Sequence, residues 1–111
     1  MKISFQDHDS LSVLTLSGEF IHDDVDAFNR VAAERETRGA KNVILDCSNL
    51  EFVDSRALEA MLRMQERLGK SGGQLRLVKP DDTVATILRL TRLTLALECH
   101  ETIELAVRSL R

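Results

Sequence analysis

The sequence is poor in aromatic residues and has no excess of positive charge. It contains no tryptophan, no tyrosine and only four phenylalanines in 111 residues. The core must therefore be aliphatic, and few aromatic rings are available to stack on bases or sugars. Fifteen lysines and arginines against eighteen aspartates and glutamates give a formal charge of -3, so no net positive field attracts a phosphate backbone. Both features argue against a nucleic-acid partner and favour a protein partner.

Cysteine and proline are also scarce. Cys47 and Cys99, the two cysteines of the chain, are too far apart in sequence to indicate a disulfide framework or a zinc site. The three histidines lack metal-ligand spacing, so we expect neither a metal nor another cofactor. A single proline and the absence of repeats leave no recognisable linker. Residues 1–111 are therefore predicted to form one domain.

Long hydrophobic runs are missing as well. No apolar stretch approaches the roughly 20 residues that cross a bilayer, and polar residues follow Met1 too soon for a signal peptide. We therefore expect a cytoplasmic protein without direct membrane insertion.

The apolar residues that are present predict alternating strands and helices in the order ββαβαβαβα. The first two strands form a hairpin, and residues 48–54 form a loop. Repeated strand-helix-strand units require right-handed crossovers and a largely parallel sheet, with functional loops at the strand ends. The predicted strands cover residues 2–7, 11–17, 42–47, 74–79 and 96–99, and the predicted helices cover about 24–38, 55–69, 82–90 and 102–110.

The most informative segment runs from Val43 to Leu58, where an apolar strand leads through a polar connection to Asp54, Ser55 and an amphipathic helix. The first turn of a helix has unpaired N–H groups and a positive dipole end, so an anion formed on Ser55 would be stabilised by about 0.3–1 kcal/mol. Alternatively, Asp54 or Ser55 is merely an N-cap contributing about 1 kcal/mol. The two interpretations are compatible.

Residues 42–55, followed by Leu58 and the connection 72–75, resemble the STAS domain of sulphate transporters and anti-sigma factor antagonists. The resemblance extends over nearly the whole chain and includes the early turn at residues 16–19. It implies an α/β fold: a central mixed, mostly parallel sheet of about five strands with about four helices and an N-terminal β-hairpin. In stand-alone members, it further implies that the serine at the position of Ser55 is phosphorylated.

This resemblance implies an anti-sigma factor antagonist rather than an enzyme. Its unphosphorylated form would bind an anti-sigma factor that is also a serine kinase and so free the sigma factor, and a phosphatase would reset the system. Ser55 is the expected phosphoacceptor. The residues expected to contact the partner are Asp54, Arg56, Glu59, His22 and Asp24, although a charged helix face is often only a solvated face.

The chain departs from the family pattern beside this serine. Arg56 and Ala57 stand where many regulatory members have Ser or Thr and then Gly, and Ile21 stands where those members tend to carry Asp. Arg56 and Ala57 are the main motivation for a second hypothesis, a subunit of a transporter complex or signalling scaffold without phosphorylation. A third is the binding of a small ligand or nucleotide in a loop pocket. The oligomeric state is left open between a monomer and a weak dimer.

Intrinsic catalysis has little support in the sequence. There is no glycine-rich phosphate loop and no G-x-S-x-G elbow, and no histidine stands near Ser55 in sequence to act as its base. We therefore expect no catalytic residues.

Overall fold

A five-stranded sheet with the spatial order β1-β2-β3-β4-β5 forms the centre of the molecule. The computed structural model describes residues 1–111. β1 and β2 are antiparallel, and the remaining neighbours are parallel, which confirms the predicted fold class and element order. The strands are β1 (Lys2–His8), β2 (Leu11–Phe20), β3 (Asn42–Val53), β4 (Leu75–Val78) and β5 (Cys99–His100). The helices are α1 (Val25–Thr37), α2 (Ser55–Lys70), α3 (Asp82–Leu90) and α4 (Ile103–Arg108), with a 3-10 turn (His22–Asp24) before α1.

The central strand β3 is much longer than predicted. The prediction of a loop from residue 48 to residue 54 is wrong, because β3 continues to Val53 and pairs with β2 as far as Phe20. Two register shifts along this parallel pair accommodate the extra length. Backbone hydrogen bonds to a strand distant in sequence hold this polar segment extended, which local residue preferences do not reveal. The extension carries the chain directly to the start of α2.

The C-terminal elements also differ from the prediction. The last strand comprises Cys99–His100 rather than residues 96–99, because these two residues pair with the end of β4. Ile103, Ala106 and Val107 have the spacing of one helical stripe, but Ile103 and Val107 are 37% and 41% exposed, and only Ala106 is buried there. The periodicity was helical, but α4 is too short to bury a full stripe.

The two faces of the sheet are covered unequally. Helices α1, α2 and α3 share one face and contribute to a core cluster of 21 buried residues. On the opposite face α4 contributes Ala106 to a cluster of four buried residues, together with Val13, Ile44 and Val78. Arg76 strengthens this smaller contact because its Nε donates to Ser109 Oγ at 2.8 Å and lies 3.3 Å from Glu98 Oε2. The chain therefore crosses to the other face only after β5.

The C-terminal half of α1 is fixed to the hairpin through Arg35. Its guanidinium lies 3.7 Å from the centre of the Phe5 ring, and its Nη1 is 2.6 Å from Asp7 Oδ2. A hydrogen bond from Ser12 and the charge of Arg35 outweigh desolvation and lower the pKa of Asp7. These contacts hold α1 over the outer edge of the sheet. No helix combines the length and the apolar character needed to span a membrane.

Gly73 offers a sharp test of the connection between α2 and β4. A Cβ at this position would lie 1.8 Å from the backbone oxygen of Lys41, so Gly73→Ala is expected to lower the free energy of unfolding by about 1–3 kcal/mol. The matched control is Gly69→Ala in α2, where an added Cβ meets nothing within 4 Å. That change is expected to raise the free energy of unfolding by about 0.5–1 kcal/mol. Urea denaturation measures both, and equal stabilities of the two variants would contradict the proposed close approach.

Candidate functional site

The start of α2 is set by Asp54. This residue has extended backbone angles and its Oδ1 accepts a hydrogen bond from the Ala57 N–H at 2.9 Å. The inner face of α2 then enters the core through Ala57 and Leu58, which are buried. Ser55 is the first residue of the helix and is exposed. The structure thus places the serine on a rigid element rather than on a loose loop.

The second carboxylate oxygen of Asp54 connects α2 to the 3-10 turn. Oδ2 accepts a hydrogen bond from the His22 N–H at 2.8 Å and lies 3.6 Å from His22 Nδ1. Desolvation raises the pKa of Asp54, but the hydrogen bonds from Ala57 and His22 outweigh it, and the net effect is a lowered pKa. One ionised carboxylate therefore fixes both the serine-bearing helix and the turn beside it.

His22 and Asp24 occupy the same turn but have different surroundings. The His22 side chain is 68% exposed, with Nε2 3.0 Å from Asp23 Oδ1. Asp24 instead accepts the Ile21 N–H at 3.1 Å and lies 3.2 Å from the amino group of Met1. The hydrogen bond from Ile21, only partly offset by desolvation, and the Met1 amine lower the pKa of Asp24. Asp24 is thus engaged inside the fold, whereas His22 faces outward.

A shallow groove of about 150 Å³ lies between the start of α1 and the start of α2. Three of the predicted site residues, His22, Arg56 and Glu59, line it. Glu59 also pairs with Arg63 at 2.5 Å, one helical turn further on, as the i,i+4 spacing predicts. The predicted residues therefore gather around Ser55, except that Asp24 turns toward the N-terminus.

Sequence reasoning missed the contribution of α1 to this groove. Asp26 and Asn29 line the side opposite Arg56, and their spacing of three residues places them on one helical face. That spacing was the available signal, but only the tertiary arrangement shows that this face meets α2.

Charges of both signs stand beside Ser55. The carboxylate of Asp54 precedes Ser55 and already accepts the Ala57 N–H at the start of α2. The exposed Arg56 follows Ser55. A phosphate on Ser55 would therefore add negative charge between an anion and a cation.

Comparison with known proteins identifies the family. The sequence-family model of the STAS domain matches residues 2–106 of the chain. This chain belongs to the STAS domain family. A Thermotoga maritima protein named as an anti-sigma factor antagonist is 30% identical over 74 residues, and this alignment spans 67% of the present chain and 66% of that relative. The predicted family resemblance is therefore confirmed.

Solved structures of STAS proteins share the fold. A Thermotoga maritima crystal structure described as an anti-sigma factor antagonist superposes with a TM-score of 0.89 at 24% identity, covering 98% of this chain and 94% of that one. Unphosphorylated SpoIIAA superposes with a TM-score of 0.83 at 20% identity, covering 96% and 93% of the two chains. The phosphorylated form of the same Bacillus protein gives a TM-score of 0.75 at 19% identity, covering 96% and 97%.

The N-cap of this STAS domain can be tested by mutation. Asp54→Ala removes the acceptor of the Ala57 and His22 N–H groups and is expected to lower the free energy of unfolding by about 1–2 kcal/mol. Asp54→Asn retains one carbonyl oxygen and is expected to cost less. Urea denaturation at neutral pH measures both changes. An Asp54→Ala variant with wild-type stability would show that the capping contacts contribute nothing.

The lowered pKa of Asp54 also predicts how the difference in stability between wild type and Asp54→Asn depends on pH. Because the folded-state pKa lies below the unfolded value of about 3.9, the stabilisation is complete above the unfolded pKa and is lost as pH falls through the folded pKa. The stability difference between wild type and Asp54→Asn that is present at pH 5 should therefore shrink below about pH 4. Asp7 and Asp24 are present in both proteins, so their titration largely cancels. A difference that grows on acidification would contradict the assignment.

Proposed function

We propose that this STAS protein is an anti-sigma factor antagonist that acts by reversible protein binding and is switched by phosphorylation of Ser55. The observation that carries the proposal is the exposed position of Ser55 at the first residue of α2. The names of the relatives, which describe regulatory binding proteins rather than enzymes, support it. So does the existence of SpoIIAA in both phosphorylated and unphosphorylated forms.

The proposed partner is an anti-sigma factor with serine kinase activity. The partner binds ATP and transfers its γ-phosphoryl group to Ser55 Oγ, while the hydroxyl loses its proton and ADP is released. A phosphatase hydrolyses the phosphoester and restores the hydroxyl. The STAS protein supplies the acceptor and its position, and the two enzymes supply the chemistry.

Charge accounts for the effect of the proposed switch. Phosphorylation adds about -1.5 to -2 charges at pH 7, directly beside the carboxylate of Asp54. Because Ser55 is exposed, the phosphate adds this charge to the surface that the proposed partner covers. Repulsion and desolvation then weaken the complex without refolding of the STAS protein.

The residues around Ser55 divide into two groups in this proposal. Arg56, Glu59 and His22 are exposed and line the groove beside Ser55, so they are the proposed contacts for the partner. Asp54 and Asp24 bind backbone N–H groups of the fold, so their proposed role is to position the contact surface. Arg56 additionally offers a cation that offsets part of the charge of the phosphate.

The phosphoacceptor can be identified directly. Incubation of the protein with ATP and its proposed partner, an anti-sigma factor with serine kinase activity, is expected to add one phosphate, which intact-protein mass spectrometry detects. Ser55→Ala should remove this modification. Ser71→Ala, a change at another exposed serine, should leave it intact. Phosphate found at a serine other than Ser55 would overturn the assignment.

Binding provides the second test. Ser55→Asp is expected to weaken the complex with the anti-sigma kinase by at least about tenfold, equivalent to about 1.4 kcal/mol, whereas Ser71→Asp should have little effect. Isothermal titration calorimetry measures both. Equal affinities of wild type and Ser55→Asp would contradict the switch. Equal retention by both proteins of a transporter ATPase or scaffold protein would instead favour a constitutive assembly subunit.

A further inference from the structure

The largest cavity of the molecule does not belong to the Ser55 groove. It has a volume of about 810 Å³ and lies where β4 and β5 end, between α3 and α4. Lys79 and Pro80 border it after β4, and His100 and Glu101 border it after β5. Its size falls within the range of about 300–1,000 Å³ that is typical of small-molecule sites.

The topology of the sheet explains why a crevice opens there. After β4 the chain enters α3 on the face that also carries α1 and α2, whereas after β5 it enters α4 on the opposite face. Two neighbouring parallel strands thus send their connections to opposite sides of the sheet. Such a divergence leaves a crevice outside the carboxyl ends of the strands, which is where open α/β sheets bind ligands. The cavity coincides with this point of divergence.

The inner wall of the crevice is apolar. Leu88 of α3 is buried, and Ala85 of the same helix and Leu105 of α4 line the space beside it. Leu105 is 44% exposed, so a ligand seated here would cover apolar surface that the protein leaves in water. Burial raises the pKa of the Cys99 thiol, which keeps this side chain neutral and part of the apolar wall.

The rim of the crevice carries charges of both signs. Lys79 lies on one strand end, and the carboxylates of Asp82 and Glu101 belong to the start of α3 and the loop before α4. All three residues are exposed, and they take no part in the ion pairs that join Glu98 to Arg76 and His100. The rim is therefore complementary to a molecule that has both a carboxylate and an ammonium group.

We propose that this crevice is a second binding site, for a zwitterionic small molecule with an apolar body of the size of an apolar dipeptide. Lys79 binds the carboxylate, Asp82 and Glu101 bind the ammonium group, and Ala85, Leu88 and Leu105 contact the apolar part. The site is independent of the proposed phosphorylation of Ser55. A nucleotide fits less well, because the lining contains no phenylalanine, tyrosine or tryptophan and has more carboxylates than lysines and arginines.

The dipeptide Leu-Leu is the probe for the first experiment. Titration into the isotope-labelled protein should shift backbone amide signals of residues 79–82 and 99–105 in two-dimensional NMR spectra, while those of residues 55–59 stay in place. Blocking both ends of the probe, as in N-acetyl-Leu-Leu-amide, removes both charges and should weaken binding at least about tenfold. Absence of shifts at the crevice, equal binding of the blocked probe, or shifts centred on Ser55 would each overturn the proposal.

Variants of the protein separate charge recognition from simple apolar contact. Lys79→Gln and Glu101→Gln change exposed side chains and are each expected to weaken Leu-Leu binding about tenfold. Arg92→Gln, a change of an exposed cation outside the crevice, is the matched control and should leave the affinity unchanged. The NMR spectra of the free variants verify that each is folded. Equal affinities of Lys79→Gln and Arg92→Gln would contradict the assigned role of Lys79.

Discussion

The geometry of the candidate contact surface depends on the two hydrogen bonds accepted by the Asp54 carboxylate. One comes from the N–H of Ala57 in the first turn of α2. The other comes from the N–H of His22, which precedes Asp54 by 32 residues in the sequence. The same group therefore starts the helix and attaches the neighbouring turn to it. Because these bonds outweigh desolvation and lower the pKa of Asp54, the carboxylate is ionised at neutral pH and both contacts persist.

This arrangement favours a switch based on charge rather than on refolding. Ser55 begins a helix whose inner face is buried in the main core, so modification of its hydroxyl need not move the backbone. The proposed phosphate changes only what a partner meets at the surface. In this proposal the energetic cost falls on the complex and not on the fold.

The sequence predicted those features that local chemistry determines. The hairpin follows from apolar strands around a polar turn, and Asp54 was recognised because an acidic residue precedes an amphipathic helix. The length of β3 could not be predicted in the same way, since residues 48–53 remain extended through pairing with β2. The position of β5 likewise depends on the end of β4.

The candidate site was predictable to a similar extent. The first five residues of α2 include Ser55, Arg56 and Glu59, so the proximity of these three side chains could be inferred from the sequence. The inward role of Asp24 could not, because its partner is the amino group of Met1, 23 residues away. The groove residues of α1 were equally hidden, since only tertiary packing brings that helix beside α2.

The uneven covering of the sheet has a consequence for motion. α4 is held by Ala106 and by the contacts of Arg76 with Ser109, whereas the other three helices share the large core. Local opening of α4 exposes a single buried side chain, that of Ala106, whereas each of the other helices has at least two. Detachment of α4 would widen the β4–β5 crevice, because Leu105 of α4 lines it. The Ser55 helix would keep its native packing in the large core. The crevice can therefore open locally while the surface around Ser55 stays preorganised.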